Sequence, residues 1–240
     1  MRLLLRLRPA LHDLNDMLAE AAAGHGAPAG TLRINAIQTA AHWLTRHVVP
    51  LFLDRYPHVT LELISDNRFV DIVANGFDAG VRLEEAVPQD MIAVRFGGRV
   101  RFVTVAAPSY LAQHGEPATP DDLLRHRCIR QRLASGKLYR WEYGSGADEI
   151  AVDVPGVLTL DDNEVMVEAA VAGLGIAYLP ERTASAAIAA GWIKPVLEAW
   201  SPPIGGFCLY YPGQRHVPRP LRAFIDMLRS GNSREKQSSS

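Results

Sequence analysis

The pattern of apolar and polar positions changes its period within one stretch near the amino end of the chain. Residues 31–36 alternate between polar and apolar side chains, which predicts a strand with one buried face. From Ala40 onward the apolar residues recur at helical spacing until Tyr56-Pro57. Pro50 would remove a hydrogen bond inside this helix, so the pattern predicts a helix over 40–56 with a kink.

A second apolar strand follows at 59–64, so the stretch predicts a strand–helix–strand unit. The junction consists of Ile37, Gln38 and Thr39, and it lies at the carboxyl end of a parallel strand. The first turn of the helix leaves N–H groups unpaired there and carries the positive end of the helix dipole. In open α/β sheets this edge is where ligands bind.

The rest of the chain continues the alternation of short strands and helices. Gly97-Gly98 indicates a turn between two strands, and Gly144-Ser-Gly146 indicates a hairpin. Apart from the opening unit, the pattern predicts strands at 78–83, 91–96, 100–106, 128–132, 138–143, 150–154, 156–160, 176–179, 194–197 and 207–211, and helices at 70–74, 110–114, 121–126, 164–172, 181–190 and 221–228. Residues 230–240 are polar and predict a disordered tail.

Residues 1–29 stand outside this α/β pattern. Their apolar residues are three and four apart, as in a heptad seam, and residues 24–30 have the composition of a flexible link. The alternative is an amphipathic helix that packs on its own domain. We favour a self-pairing helix, because the run stands outside the α/β pattern and is followed by a link, and so short a helix needs a partner surface. The seam residues are Leu4, Leu7, Leu11, Leu14, Leu18 and Ala21.

Composition narrows the functional classes. With 240 residues, 48% of them hydrophobic, the chain can bury a full core in two lobes. A formal net charge of −1 gives no general argument for nucleic acid. No apolar run reaches the ~20 residues of a membrane span and no signal peptide is evident, so we expect a cytoplasmic protein without membrane contact. Cys128 and Cys208 are expected to act as small hydrophobic residues. The eight histidines lack metal-ligand spacing, so no metal or cofactor is expected.

Several motifs are open to a catalytic interpretation, and each has a plainer one. Gly173-Leu-Gly175 follows a predicted helix, which is the wrong order for a dinucleotide site, and it predicts a glycine cap. Asp161-Asp162 could form a carboxylate pair, but either Asp162 or Asn163 is a good amino-terminal cap for the next helix. Arg130 and Arg132 share one face of a strand, which is either a solvated edge or an anion contact. No set of residues combines nucleophile, base and oxyanion donor, so we do not expect an enzyme.

An ordered set of motifs then resembles a known family. The chain is similar, over nearly all of residues 30–229, to the effector-binding region of LysR-type transcriptional regulators. The resemblance rests on Gly30-Thr-Leu-Arg-Ile34, Val49-Pro-Leu-Phe-Leu-Asp-Arg-Tyr-Pro57, Val59-Thr-Leu-Glu-Leu63, Asp71-Ile-Val-Ala-Asn-Gly-Phe-Asp78, Gly80-Val-Arg82, Ala107-Pro-Ser-Tyr-Leu111, Thr119-Pro-Asp-Asp-Leu123, His126-Arg-Cys-Ile129, Glu168-Ala-Ala-Val-Ala-Gly-Leu-Gly-Ile176, Leu209-Tyr-Tyr-Pro212 and Leu221-Arg-Ala-Phe-Ile225.

The resemblance implies an α/β fold of two Rossmann-like lobes with a ligand cleft between them, like the type 2 periplasmic binding proteins. Lobe I would comprise 30–106 and 207–229, and lobe II 107–206. Residues 1–29 would be the linker helix of a dimer or tetramer. The family's winged helix-turn-helix has no counterpart in this sequence. Either the sequence is a fragment, with promoter DNA bound only through that domain, or it is a stand-alone sensor.

The implied function is ligand-controlled transcription. The expected effector is a small organic acid or an aromatic compound, bound in the cleft and sensed by a change in conformation. The alternative is a solute-binding protein of a transporter, which would share the fold. The expected effector-binding residues are Ile37, Gln38, Thr39, Asn67, Arg130, Gln131, Asp162, Asn163 and Phe207.

Overall fold

Twelve strands and six α-helices are found in the computed structural model, which describes residues 27–144, 149–213 and 217–238. The strands are β1 (Gly30–Ala36), β2 (Val59–Ser65), β3 (Ala79–Leu83), β4 (Met91–Val100), β5 (Phe102–Ala106), β6 (Cys128–Gln131), β7 (Trp141–Tyr143), β8 (Ile150–Val152), β9 (Gly156–Leu160), β10 (Ile176–Pro180), β11 (Lys194–Val196) and β12 (Ile204–Pro212). The helices are α1 (Gln38–His47), α2 (Val49–Arg55), α3 (Pro108–His114), α4 (Asn163–Val171), α5 (Glu181–Ala189) and α6 (Arg219–Ser238).

These elements form two compact α/β units, each with its own five-stranded sheet. Unit 2 is the continuous segment Val100–Ile204, and unit 1 holds the described residues before and after it. The predicted self-pairing helix over 1–29 lies almost wholly outside the described residues.

The sheet of unit 1 has the strand order β2-β1-β3-β12-β4. β1 runs parallel to both β2 and β3, while β12 runs antiparallel to β3. The predicted strand–helix–strand unit is therefore confirmed. Its helix, however, is two helices that meet at Val48, with Pro50 in the first turn of α2, where its missing N–H is not needed.

The core of unit 1 lies between the sheet and its helices. Leu32 and Ile34 of β1 are completely buried, and so are Leu44 of α1 and Phe52 of α2. The Phe52 ring packs edge-on against Phe224 of α6, with 4.9 Å between the ring centroids. Burying side chains of this size stabilises the fold by about 1.5–3 kcal/mol each, so this contact helps to hold α6 against α2.

The sheet of unit 2 has the order β11-β5-β10-β6-β9, with β7 and β8 as a separate antiparallel pair. Helices α4 and α5 cover one face, over a cluster that includes Met166 and Ala184. The other face carries an aromatic cluster, in which the rings of Trp141 and Tyr178 stack at 5.6 Å between centroids and the Tyr143 hydroxyl is 2.8 Å from the Thr104 hydroxyl.

Two predicted boundaries differ from the structure. The predicted lobe boundary at Ala107 falls instead at Val100, because β5 is hydrogen-bonded to β10 and β11 of unit 2. The predicted turn at Gly97-Gly98 lies inside β4, an edge strand, where the two glycines have φ of 72° and 66°. Glycine tolerates such angles in a strand, so the signal for positive φ was correct but its interpretation as a turn was wrong.

Two predicted segments near the ends of elements also differ. The helix expected at 70–74 is replaced by turns, in which the Asp71 side chain accepts hydrogen bonds from the N–H groups of Val73 and Ala74. A disordered tail was expected from Ser230, but α6 continues to Ser238. Once the buried turns of α6 have formed, further residues add to a helix at little cost.

Candidate functional site

Helix α1 of unit 1 begins directly at the carboxyl end of β1. Ile37 lies between the two elements, and its N–H donates to the Val81 carbonyl of β3 at 3.2 Å. The Ile37 carbonyl accepts the first helical bond, from Ala41 N–H at 2.9 Å. Ile37 is the N-cap residue, and its apolar side chain offers no cap to the helix. The first-turn N–H groups of α1 therefore need an acceptor from elsewhere.

Asn67 supplies that acceptor from another part of the chain. Its Oδ1 accepts a hydrogen bond from Gln38 N–H at 3.0 Å. The loop after β2 is held beside β1 because Asp66 N–H donates to the Ala36 carbonyl at 2.9 Å. The structure thus brings Gln38 and Asn67 together, although they are far apart in the sequence. Thr39 follows in the same helical turn and is half-buried.

Two arginines and one aspartate lie in or beside this loop. The Arg68 guanidinium donates to Asp66 through Nε at 3.0 Å and Nη2 at 2.8 Å. These bonds hold the pKa of Asp66 below its usual value and raise the pKa of Arg68. With the buried guanidinium of Arg82 nearby, the local formal charge is +1, to which the dipole of α1 adds.

Arg82 is a buried cation that the sequence interpretation missed. Its side chain is in the interior of unit 1, and burial lowers its pKa while Tyr210 and then Asp66 partly offset that shift. Nη2 donates to Asn35 Oδ1 at 2.6 Å and to the Arg68 carbonyl at 2.8 Å. Nη1 donates to the Val81 carbonyl at 2.7 Å. A charged residue inside an otherwise small and apolar strand was the available signal for this network.

Phe207 lies apart from solvent. It is 1% exposed, in β12 opposite Leu83, and its ring centroid is 5.9 Å from that of Phe96. Phe207 is therefore a core residue of unit 1 as the structure stands, and a contact with an effector stays a prediction.

In unit 2 the start of α4 is also capped by a side-chain oxygen. Asp162 Oδ1 accepts from Glu164 N–H at 2.8 Å and from Val165 N–H at 3.1 Å, so the capping role of Asp162 is confirmed. Asn163 is the first residue of the helix and is 7% exposed. Its Oδ1 accepts from Gln131 Nε2 at 3.2 Å, which joins the end of β6 to α4. Gln131, Asp162 and Asn163 are therefore neighbours.

Arg130 lies on the opposite face of β6 from Gln131, because successive residues of a strand alternate. Its Nη2 is 2.7 Å from Asp153 Oδ1, and a Cβ at Gly156 would come within 2.4 Å of its side chain. Arg130 is thus held by a carboxylate rather than freely solvated, and its contact with an effector stays a prediction. Arg132 donates to the Gly136 carbonyl at 2.9 Å.

Other candidate chemistry has a structural explanation. Gly173, with φ of 72°, ends α4 in a Schellman motif, since its N–H donates to the Ala170 carbonyl and Leu174 N–H donates to the Ala169 carbonyl. Both cysteines are buried and free, and burial raises the pKa of Cys128 to about 12, so its thiol is not a nucleophile at neutral pH.

The described part of the chain contains no cluster of three or more His, Cys, Asp or Glu side chains placed to hold a metal ion. Within the same residues, every helix is too short or too polar to cross a bilayer.

Comparisons with known proteins agree on one family. Residues 25–233 match the family model described as the LysR substrate binding domain. The chain is 39% identical over 232 residues to the Escherichia coli K12 HTH-type transcriptional regulator YcaN, covering 97% of this chain and 76% of that protein. It is 34% identical to PgrR of the same organism, covering 93% of this chain and 75% of PgrR.

Solved structures extend the comparison to the fold. The chain matches CrgA, a LysR-type transcriptional regulator from Neisseria meningitidis, with a TM-score of 0.72 and 26% identity over 93% of this chain and 75% of CrgA. Full-length AphB of Vibrio cholerae matches with a TM-score of 0.73 and 24% identity over 93% of this chain and 76% of AphB, which supports the fold alone. These matches confirm the α/β fold of two periplasmic-binding-protein-like lobes.

Proposed function

We propose that the start of α1 in unit 1 binds a small organic anion. The premise is that this chain belongs to the LysR-type transcriptional regulators, as their effector-binding region. Regulators of this family bind small-molecule effectors and DNA and form oligomers. The transporter alternative is set aside, since the relatives are transcriptional regulators and not solute-binding proteins. What remains to be proposed is the class of effector and the residues that bind it.

The observation that carries the proposal is the charge and donor pattern around Gln38. The positive end of the α1 dipole favours a carboxylate, and Arg68, Arg82 and Asp66 together add a formal charge of +1 beside the Gln38 N–H that Asn67 caps. The Thr39 hydroxyl and the Asn67 amide Nδ2 add side-chain donors at the same edge. The half-buried Ile37 side chain offers apolar contact, which suits the hydrocarbon or aromatic part of an organic acid.

In unit 2 we propose that Gln131 and Asn163 form a second set of contacts. Their amide groups already bond to each other, so they can exchange that bond for one to a polar group of the effector. The Asp162 carboxylate disfavours an anion beside it, and we therefore expect this set to bind a neutral polar group rather than a carboxylate. Arg130 and Phe207 would contribute only if the pair with Asp153 opens or the core around β12 rearranges.

The proposed mechanism is a shift of conformational populations. An effector that binds one conformation more tightly by about 1–3 kcal/mol biases the equilibrium by that amount. In a dimer or tetramer this bias would pass to DNA-binding domains outside the present sequence. Proteins of this family are generally not enzymes, and we propose that this chain releases its effector unchanged in the cytoplasm, without a cofactor.

Calorimetric titration of the purified chain tests the proposal. Benzoate and succinate represent an aromatic and an aliphatic acid, and benzamide serves as the neutral analogue of benzoate. We expect at least one acid to bind. We also expect Thr39→Val to raise its Kd about 10- to 150-fold, because losing one hydrogen bond to a charged group costs roughly 1.5–3 kcal/mol.

The matched control is Thr45→Val, which makes the same substitution on an exposed position of α1. It should leave the Kd unchanged. Equal affinities of wild type and Thr39→Val would remove Thr39 from the site, and equal binding of benzoate and benzamide would contradict the preference for an anion.

A further inference from the structure

The buried guanidinium of Arg82 joins three separate segments of unit 1. It is 3% exposed, and it donates to a side chain of β1, to a carbonyl of its own strand and to a carbonyl of the loop after β2. Placing a charge in the interior costs desolvation free energy that an apolar side chain would avoid. The contribution of Arg82 therefore lies in what its hydrogen bonds hold in place.

Those hydrogen bonds lie next to the proposed effector site. The Arg68 carbonyl, which accepts from Arg82 Nη2 at 2.8 Å, directly follows Asn67 in the chain. On the other side of Asn67, Asp66 N–H is bonded to the Ala36 carbonyl at 2.9 Å. Asn67 is thus fixed from both sides, by β1 before it and by Arg82 after it.

The geometry requires an arginine. A guanidinium is a planar fork with donors pointing in several fixed directions, so it reaches Asn35, Val81 and the Arg68 carbonyl at the same time. A lysine ammonium keeps the charge, but its donors lie on one atom at the end of a shorter chain and cannot bridge all three acceptors.

We infer that Arg82 is a positioning residue of the effector site: it fixes the loop of Asp66, Asn67 and Arg68 so that the Asn67 side chain caps the start of α1. The link to effector binding rests on the proposed function, but the capping itself does not. Removing the Arg82 fork should release Asn67 from Gln38, although Arg82 does not touch either residue's side chain in the hydrogen bonds described.

The experiment follows the backbone amide of Gln38 by NMR in the full chain. In Asn67→Ala, the Gln38 amide proton should shift upfield and exchange faster with solvent, because its acceptor is gone. Arg82→Lys should produce a shift in the same direction and of similar size. In the Asn67→Ala background, Arg82→Lys should produce no further change at Gln38, since both act through one hydrogen bond.

The matched control is Arg33→Gln, which removes an arginine of the same sheet whose partner is Glu62, at 2.9 Å. It should leave Gln38 unchanged. A Gln38 signal in Arg82→Lys identical to wild type would overturn the inference. So would a second, equal shift in the Asn67→Ala background, because Arg82 would then act independently of Asn67.

If Arg82→Lys alone does not fold, the double variant Asn35→Asp with Arg82→Lys keeps a buried ion pair but still lacks the fork to the Arg68 carbonyl. It is expected to show the same shift at Gln38, and a wild-type signal would overturn the inference. Titration with benzoate and succinate separates the two claims. Absence of binding in the wild type contradicts the proposed function, while the Gln38 signals still decide the role of Arg82.

Discussion

Single polar side chains in this protein accept hydrogen bonds from backbone N–H groups at the starts of helices. Asn67 caps α1 across a large separation in sequence, whereas Asp162 caps α4 from the position next to it. Each cap of this kind is worth about 0.5–2 kcal/mol. The local cap could be predicted from the sequence, because Asp162 precedes a helical pattern. The distant pairing could not, because no local pattern tells which loop returns to a given helix start.

The contacts of Arg82 were likewise not predictable from the sequence. The strand at 78–83 was correctly predicted, but the arginine within it was not singled out. Its acceptors in Asn35 and the Arg68 carbonyl come from other strands and loops, so their distances depend on the register of the sheet. A buried charge in a strand predicts a partner network, but only the fold identifies the partners.

His126 gives a prediction about pH at this scale. The Tyr110 hydroxyl accepts from Arg127 N–H at 2.9 Å and also lies 3.3 Å from His126 Nδ1, so the imidazole is held beside a half-buried phenol. Burial is the main cause of a lowered pKa for His126, followed by the nearby His114. Below the ordinary value of 6.5 the unfolded state therefore binds more protons than the folded state, and stability falls as the pH falls.

We expect the free energy of unfolding in urea to decrease from pH 7 to pH 5.5 in the wild type. The decrease should be smaller in His126→Gln, which cannot take up that proton. Identical pH dependence of the two proteins would show that His126 does not contribute to it.

At the scale of elements, periodicity predicted most strands and helices, and tertiary pairing decided their ends. The alternation in β1 was a reliable guide because one face of that strand is buried against helices. The sheet to which β5 belongs was assigned wrongly, because its apolar run fits either unit and only its pairing with β10 decides. Pro50 was expected to kink a single helix, whereas the structure has two helices, the second of which begins at Val49.

The pairing of β12 with β4 gives a prediction about stability. A Cβ at Gly206 would lie 2.3 Å from the Gly98 carbonyl oxygen, much closer than any real contact. Gly206→Ala should therefore lower the free energy of unfolding by about 1–3 kcal/mol, as overpacking in a rigid interior does. Thermal or urea unfolding measures the change.

The matched control is Gly231→Ala in α6, where an added Cβ would meet no atom within 4 Å. Alanine at an exposed helical position should raise stability by roughly 0.5–1 kcal/mol. If Gly206→Ala were as stable as Gly231→Ala, the close approach of the two strands would be wrong.

For the whole molecule, the motifs predicted the family and the fold class, and both are confirmed by the match over residues 25–233. The site residues remain a proposal, since the sequence could name the strand ends but not the contacts made there. Gln38 with Asn67, and Gln131 with Asn163, are brought together in their own units, whereas Arg130 pairs with Asp153 and Phe207 is a buried core residue.

Unit 2 is one continuous stretch of sequence and unit 1 is not, and this difference gives a prediction for fragments. Unit 2 is one continuous segment with its own sheet and core clusters. The fragment 100–204 should fold alone, with native-like circular dichroism and protected tryptophan fluorescence. The fragment 27–99 should not, because it lacks β12, which lies between β3 and β4, and Phe224, which packs on Phe52. A folded 27–99 would contradict the dependence of unit 1 on its last strand.

The position of β12 therefore has a consequence for the order of events during synthesis. As the chain leaves the ribosome, β1 to β4 emerge first, yet their sheet stays open in the middle until residues 204–212 follow. Unit 2 is completed earlier, although it starts later. The nascent strands of unit 1, with their apolar faces and unpaired edges, must wait while a whole second unit is translated, which makes this interval the one in which chaperones are most needed.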